Sequence, residues 1–195
     1  MKDGFIKIAC ATPDVKVADC EFNADRIIEL AKEAHSRGVK IVCFPELSVT
    51  GYTCGDLFLQ TALLRASNKA LIRIAEETKE LDILLIVGAP VTYCGKLYNC
   101  GVVIEKGALL GAVPKENIPN YSEFYEARYF AAGPVEHCPV RLEDETSTFI
   151  GNDMLFVCAE MPEFRFGIEI CEDLWVGDTP SVKLAQSGAS LIFNL

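Results

Sequence analysis

Nine cysteines stand beside only two histidines in this sequence, so a reactive thiol here has few orthodox bases to choose from. His35 falls in the last turn of the first expected helix, where a partly positive imidazole suits the helix dipole. His137 falls in a loop flanked by glycine and proline. A glutamate base is then the economical choice for any cysteine nucleophile. Three ionisable residues, Glu46, Lys115 and Cys171, each follow a strand-like run, and strand ends are where open α/β folds place working side chains. Singly, each has a plain structural reading: a loop cap, a solvated charge, a core thiol. Their common placement at strand ends favours a site.

The segment Gly167-Ile168-Glu169-Ile170-Cys171-Glu172-Asp173-Leu174-Trp175 sharpens the problem. Strand alternation sets Glu169 and Cys171 on one face and Ile168 and Ile170 on the other. Three carboxylates within two residues of the thiol should raise its pKa and suppress the thiolate. A reactive Cys171 therefore needs a cation and a base brought from elsewhere, and Lys115 and Glu46 are the candidates. Cys10, Cys43 and Cys158 lie in the apolar runs IACA, IVCF and FVCA and are expected in the core as small hydrophobes. No two cysteines have the CxxC spacing of zinc or redox sites, so reduced thiols in a cytoplasmic setting are expected and no metal site is.

The elements that must position these residues follow from pattern. Residues 5–11 suit a strand, and Ile27, Leu30, Ala31 and Ala34 recur on one helix face before a stop at Gly38. Residues 39–44 and 83–89 read as strands buried on both sides. Residues 56–81 read as one long helical region, with Leu71, Ile74 and Ala75 on one side. Strands at 97–105 and 108–113 flank Lys106-Gly107 and predict a hairpin. Residues 117–130 read as loop with one helical turn, and residues 143–153 as an exposed loop. Strands at 154–159 and 165–171, a helix at 179–188 and a strand at 190–195 complete the α/β pattern. An ending inside an apolar strand predicts a domain cut short.

The 195 residues, half of them apolar, suit one domain with a proper core. With 18 basic against 28 acidic side chains and a formal charge of -10, the chain repels nucleic-acid backbones and anionic membranes. A small-molecule partner is expected, and neither a signal peptide nor a membrane span is.

Phe44-Pro45-Glu46-Leu47-Ser48-Val49-Thr50-Gly51-Tyr52, then Pro114-Lys115, then Ile168 to Trp175 resemble, in order, the three catalytic blocks of the nitrilase superfamily. Thr53-Cys54-Gly55-Asp56-Leu57-Phe58, Leu97-Tyr98-Asn99-Cys100 and the aromatic stretch from Asn120 to Phe130 narrow the resemblance to the amino-terminal glutaminase domain of glutamine-dependent NAD synthetases. It implies a four-layer α-β-β-α sandwich, with residues 1–195 an incomplete carbon-nitrogen hydrolase domain. By position it implies Cys171 as nucleophile, Glu46 as general base and Lys115 as oxyanion stabiliser. Glu126 matches a second glutamate that positions the lysine, the backbone N–H of Glu172 an oxyanion donor, and Tyr121 and Phe124 substrate-contacting positions.

The implied reaction releases ammonia from glutamine through a thioester, without metal or organic cofactor. The ammonia would feed the amidation of nicotinic acid adenine dinucleotide, for which ATP and Mg are used by a synthetase domain that these residues do not include. Homo-oligomers are implied as well. Two other readings stay open: a free-standing amidase or carbamoylase acting on another small amide, and an inactive scaffold whose thiol is silenced by Glu169, Glu172 and Asp173.

Overall fold

The computed structural model describes residues 5–133, 136–142 and 146–195. A seven-stranded mixed sheet has the order β1-β2-β3-β4-β5-β7-β6. Its strands are β1 (Ile8–Cys10), β2 (Ile41–Cys43), β3 (Leu84–Tyr93), β4 (Lys96–Glu105), β5 (Ala108–Pro114), β6 (Cys138–Arg141) and β7 (Ser147–Ile150). A second sheet holds β8 (Phe156–Cys158), β9 (Met161–Glu169) and β10 (Leu191–Asn194) in the order β10-β9-β8.

Strand alternation assigns each face of the large sheet its own core. Val42, Leu85, Val87, Ala89, Val102 and Ile104 face helices α1 (Cys20–Ser36) and α2 (Thr61–Thr78), meeting Ile27, Ala31, Leu71 and Ile74. Ile41, Cys43, Ile86, Val103 and Val113 face the small sheet, meeting Phe164, Phe166, Ile168 and Phe193. Helix α3 (Pro180–Gln186) covers the outer side of β9, where a Cβ on Gly167 would strike Leu184. The layers are therefore helix, sheet, sheet, helix, as expected. Among the described residues no helix is long and apolar enough to cross a membrane.

Two-residue turns with both residues at positive φ close the β3–β4 and β4–β5 hairpins, Cys94-Gly95 and the anticipated Lys106-Gly107. Such turns match the right-handed twist of the strands they join. Helix α1 begins where the Asp19 side chain accepts from the Phe22 N–H at 3.1 Å, a side-chain N-cap.

Three expectations need correction. The helical region at 56–81 is split: a 3-10 segment, Tyr52–Leu59, and α2 meet at extended Gln60. In the loop expected at 143–153, residues 143–145 lie outside the described residues, and β7 occupies part of the rest. Thr148 and Ile150 turn inward in β7 while Phe149 stays exposed, a one-sided strand too short and polar for its pattern to stand out. Of the three cysteines expected in the core, only Cys43 is buried; Cys10 is exposed and Cys158 half-buried. Both belong to strands at the edge of their sheets, which an apolar run alone does not distinguish from central ones.

Candidate active site

Glu46 sits in a tight turn just past β2 that lies directly on β3. The Ser48 hydroxyl approaches the backbone of Gly88, and the Val49 N–H donates to the Gly88 carbonyl at 3.0 Å. A Cβ on Gly88 would come within 2.3 Å of the Leu47 nitrogen and 2.4 Å of the Pro45 carbonyl oxygen, so the close approach requires glycine. The buried Asn23 side chain donates to the Lys16 and Val49 carbonyls, fixing the far side of the same turn to α1.

Lys115 follows β5 directly, its N–H bonded to the Asn99 carbonyl of β4 at 2.7 Å. Its side chain is 0% exposed. The ammonium lies 2.8 Å from Glu46 Oε1 and 2.8 and 2.9 Å from the two oxygens of Glu126. Glu126 comes from a short 3-10 turn, Glu126–Arg128, the one turn expected in that loop. Two further side chains complete this cluster. Asn99 donates from Nδ2 to Glu46 Oε1 at 2.5 Å, and the Tyr52 hydroxyl donates to Glu126 Oε1 at 2.8 Å.

A lone buried ammonium is untenable, whereas one held by two carboxylates keeps its charge. Burial alone would lower the Lys115 pKa, but Glu46 and Glu126 outweigh it and the net direction is upward. Glu46 is also raised, first by burial and further by Glu126, against the opposing pull of Lys115 and Asn99. It is a stronger base than an ordinary glutamate. Burial first, then the Glu126 bond, push the Tyr52 phenol up, so it remains a donor.

Cys171 ends the run from β9 and opens a 3-10 turn, Cys171–Leu174. Its φ of 45° lies in the left-handed region that non-glycine residues enter only under constraint. This turn undoes the face sharing expected of Glu169 and Cys171. Glu169 is buried and accepts from the Ser181 N–H of α3 at 3.0 Å and from Asn194 at 3.4 Å. The thiol instead feels the other cluster: burial raises its pKa most, Glu46, Glu126 and Glu172 raise it further, and Lys115 lowers it. Suppression of the resting thiolate was legible in the sequence, but its main source was not.

The Cys171 N–H donates to the Leu195 carbonyl at 2.9 Å. The Tyr121 hydroxyl donates to Glu172 Oε2 at 2.9 Å, and the Tyr121 and Phe124 rings meet edge to face at 5.7 Å. These two aromatics therefore stand beside the cysteine turn. His137 packs instead on Phe149, and His35 closes α1. Among the described residues no group of three or more His, Cys, Asp or Glu could hold a metal ion. The chemistry this arrangement can support is nucleophilic attack by sulfur, with a raised carboxylate to take the proton and an adjacent cation.

Asn99 and Tyr52 carry no role in the sequence reading. The motifs containing them were recognisable, but their bonds to Glu46 and Glu126 cross from one element to another without any local signal.

Comparison with known proteins agrees with the family resemblance and the fold. The family profile described as Carbon-nitrogen hydrolase matches residues 7–195. The chain is 38% identical over 192 residues to a glutamine-dependent NAD(+) synthetase of Mycobacterium tuberculosis, covering 98% of this chain and 28% of that protein. Its counterpart in Aquifex aeolicus is 34% identical, with 97% and 30% covered. The chain thus spans under a third of the length of these curated relatives. Among solved structures, a glutamine-dependent NAD(+) synthetase from Cytophaga hutchinsonii superposes with a TM-score of 0.82 at 30% identity, covering 97% of this chain and 30% of that one. An amidase from Nesterenkonia sp. superposes at 0.72 with 19% identity, covering 100% and 65%, a likeness of fold.

Proposed function

The chain belongs to the carbon-nitrogen hydrolase family, and on that premise we propose that it hydrolyses the side-chain amide of glutamine and supplies the ammonia for NAD synthesis. The observation that carries the reading is the fully buried Lys115 ammonium held between Glu46 and Glu126 beside a cysteine turn. A structural ion pair needs one carboxylate. A cation kept charged by two, one of them a raised base near a thiol, suits covalent amide chemistry.

In the proposed mechanism the Cys171 thiol gives its proton to Glu46 as the sulfur bonds to the amide carbon. The Lys115 ammonium and the Glu172 N–H stabilise the oxyanion. The tetrahedral adduct collapses with the proton passing from Glu46 to the departing nitrogen, so that ammonia leaves and a glutamyl thioester remains. Water, deprotonated by Glu46, then attacks the thioester, and the sulfur leaves with that proton. The raised pKa values of thiol and carboxylate suit this order of events, since the thiolate forms during attack instead of standing exposed. A donor at the oxyanion contributes about 3 to 4 kcal/mol, and a placed base roughly 10² to 10⁴ in rate.

Tyr121 and Phe124 border the substrate entry, with Glu126 orienting the lysine. The ammonia passes to a synthetase domain of the same parent protein, which uses ATP and Mg to amidate nicotinic acid adenine dinucleotide; the glutaminase step uses the chain's own side-chain and backbone groups. The setting is cytoplasmic and the assembly homo-oligomeric. The test is ammonia release by the intact protein from glutamine against a panel of small amides. Preference for glutamine is expected, and preference for another amide would remove the link to NAD. Glu46→Gln should reduce that release by roughly 10² to 10⁴.

A further inference from the structure

Asp173 follows the cysteine by two residues, and on the sequence alone it reads as one of the charges silencing the thiol. It is 1% exposed. Its carboxylate is instead spent on amides from two separate loops. Oδ1 accepts from the Asn117 N–H at 2.7 Å, the Asn117 side-chain amide at 2.9 Å and the Glu116 N–H at 3.1 Å. Oδ2 accepts from the Ile170 N–H at 3.0 Å and, more distantly, from the Glu116 N–H at 3.3 Å. Glu116 and Asn117 follow Lys115 directly; Ile170 precedes Cys171 directly.

We infer that Asp173 is a positioning residue that sets the distance between the Lys115 ammonium and the Cys171 sulfur, by clipping the lysine loop of the large sheet to the cysteine turn of the small one. The inference rests on the proposed cysteine chemistry and deepens it. The two loops belong to different sheets, and among the described residues no strand pairing joins those sheets; their packed faces hold the sheets together, and loop contacts at the strand ends set the finer gap between the cation and the nucleophile. Charge-assisted bonds to a buried carboxylate are stronger than neutral ones, and here they run to both sides of the gap. The Asp173 bond to the Ile170 N–H and the Leu195 bond to the Cys171 N–H flank the left-handed residue and hold it there. A misplacement near 1 Å in such a site costs on the order of 10² in rate.

The test uses Asp173→Asn in the intact protein, because the isosteric amide turns one accepting oxygen into a donor facing N–H groups. The expected result is a roughly 10²-fold fall in kcat with KM little changed, together with a displaced pH midpoint for alkylation of Cys171 by iodoacetamide. A folded Asp173→Asn protein with wild-type kcat and midpoint overturns the inference, as does one whose only change is a lower Tm. Should that variant fail to fold, Asn117→Ala removes one donor while leaving the carboxylate. A severalfold fall in kcat with a shifted midpoint then supports the clip, and unchanged values overturn it. A wild-type Cys171 no more reactive than the other thiols overturns the cysteine chemistry and the clip together.

Discussion

The two sheets contribute unequally to the site. The large sheet supplies Glu46 and Lys115 from the ends of β2 and β5, on strands packed against helices on one face and against the small sheet on the other. The polar contacts of that half are short and centre on the fully buried lysine: lysine to two glutamates, asparagine to the base, tyrosine to the second glutamate. The small sheet supplies Cys171 from a turn at positive φ whose neighbours Leu174 and Trp175 are exposed, Trp175 by 76%. The lysine is thus fully enclosed, while the cysteine turn opens toward solvent although β9 before it is packed in the second core. In the proposed mechanism the electrostatic part of the chemistry is preorganised in the framework, and the proposed nucleophile sits on the more open side.

Removing the cation should break this contrast most severely. Lys115→Ala leaves Glu46 and Glu126 facing each other in a buried site, and breaking a buried pair this way costs about 3 to 5 kcal/mol. Denaturant unfolding should register that loss, and ammonia release should fall with it. The lysine pKa is raised in the fold, so its stabilising contribution is fully present below the unfolded value and fades as pH rises through the folded one. The wild-type advantage over Lys115→Ala should therefore shrink at strongly alkaline pH.

Asn99→Ala is a milder probe of the same half. Lys115 does most to hold the Glu46 pKa down and the Asn99 bond adds to it, so without that bond the acid limb of the rate profile, already above the ordinary glutamate range, should move to higher pH. A fall in kcat of about tenfold is expected, the equivalent of one hydrogen bond to a charged group. An unmoved acid limb would mean that another group governs it. Asn99 Oδ1 is buried without a partner among the described residues, so part of the stability lost with the side chain should be recovered.

Tyr121→Phe probes the exposed half and should have the smallest effect. Its bond to Glu172 lies at the surface, and stability should change by less than about 0.5 kcal/mol. With the hydroxyl that ties the ring to Glu172 removed, KM should rise severalfold with kcat nearly unchanged. A large stability loss would show the cysteine turn to be as firmly built as the opposite half.

Much of the framework half was readable in the sequence, because the unbroken apolar run before Glu46 announces a strand buried on both faces and the Lys106-Gly107 turn announces the hairpin strand that ends before Lys115. The cysteine half was readable only in outline. Asp173 and Glu169 share the acidic character that suggests repulsion of the thiol, yet one turns to the lysine loop and the other to α3. Which way a carboxylate turns depends on a single positive φ at Cys171, and no propensity scale assigns that to cysteine. Asn99 and Tyr52 escaped for a related reason: their partners are 53 and 74 residues away. Strands β6 and β7 escaped because one-sided burial over four residues leaves little pattern.

The central claim is that sulfur, carboxylate and ammonium act as one unit, and acid-quenched turnover of the intact protein with glutamine tests it directly. Peptide mass spectrometry should find a glutamyl adduct on Cys171 alone among the nine cysteines, lost in Cys171→Ala with the fold intact. An adduct on a different cysteine, or steady ammonia release by Cys171→Ala, would contradict the account.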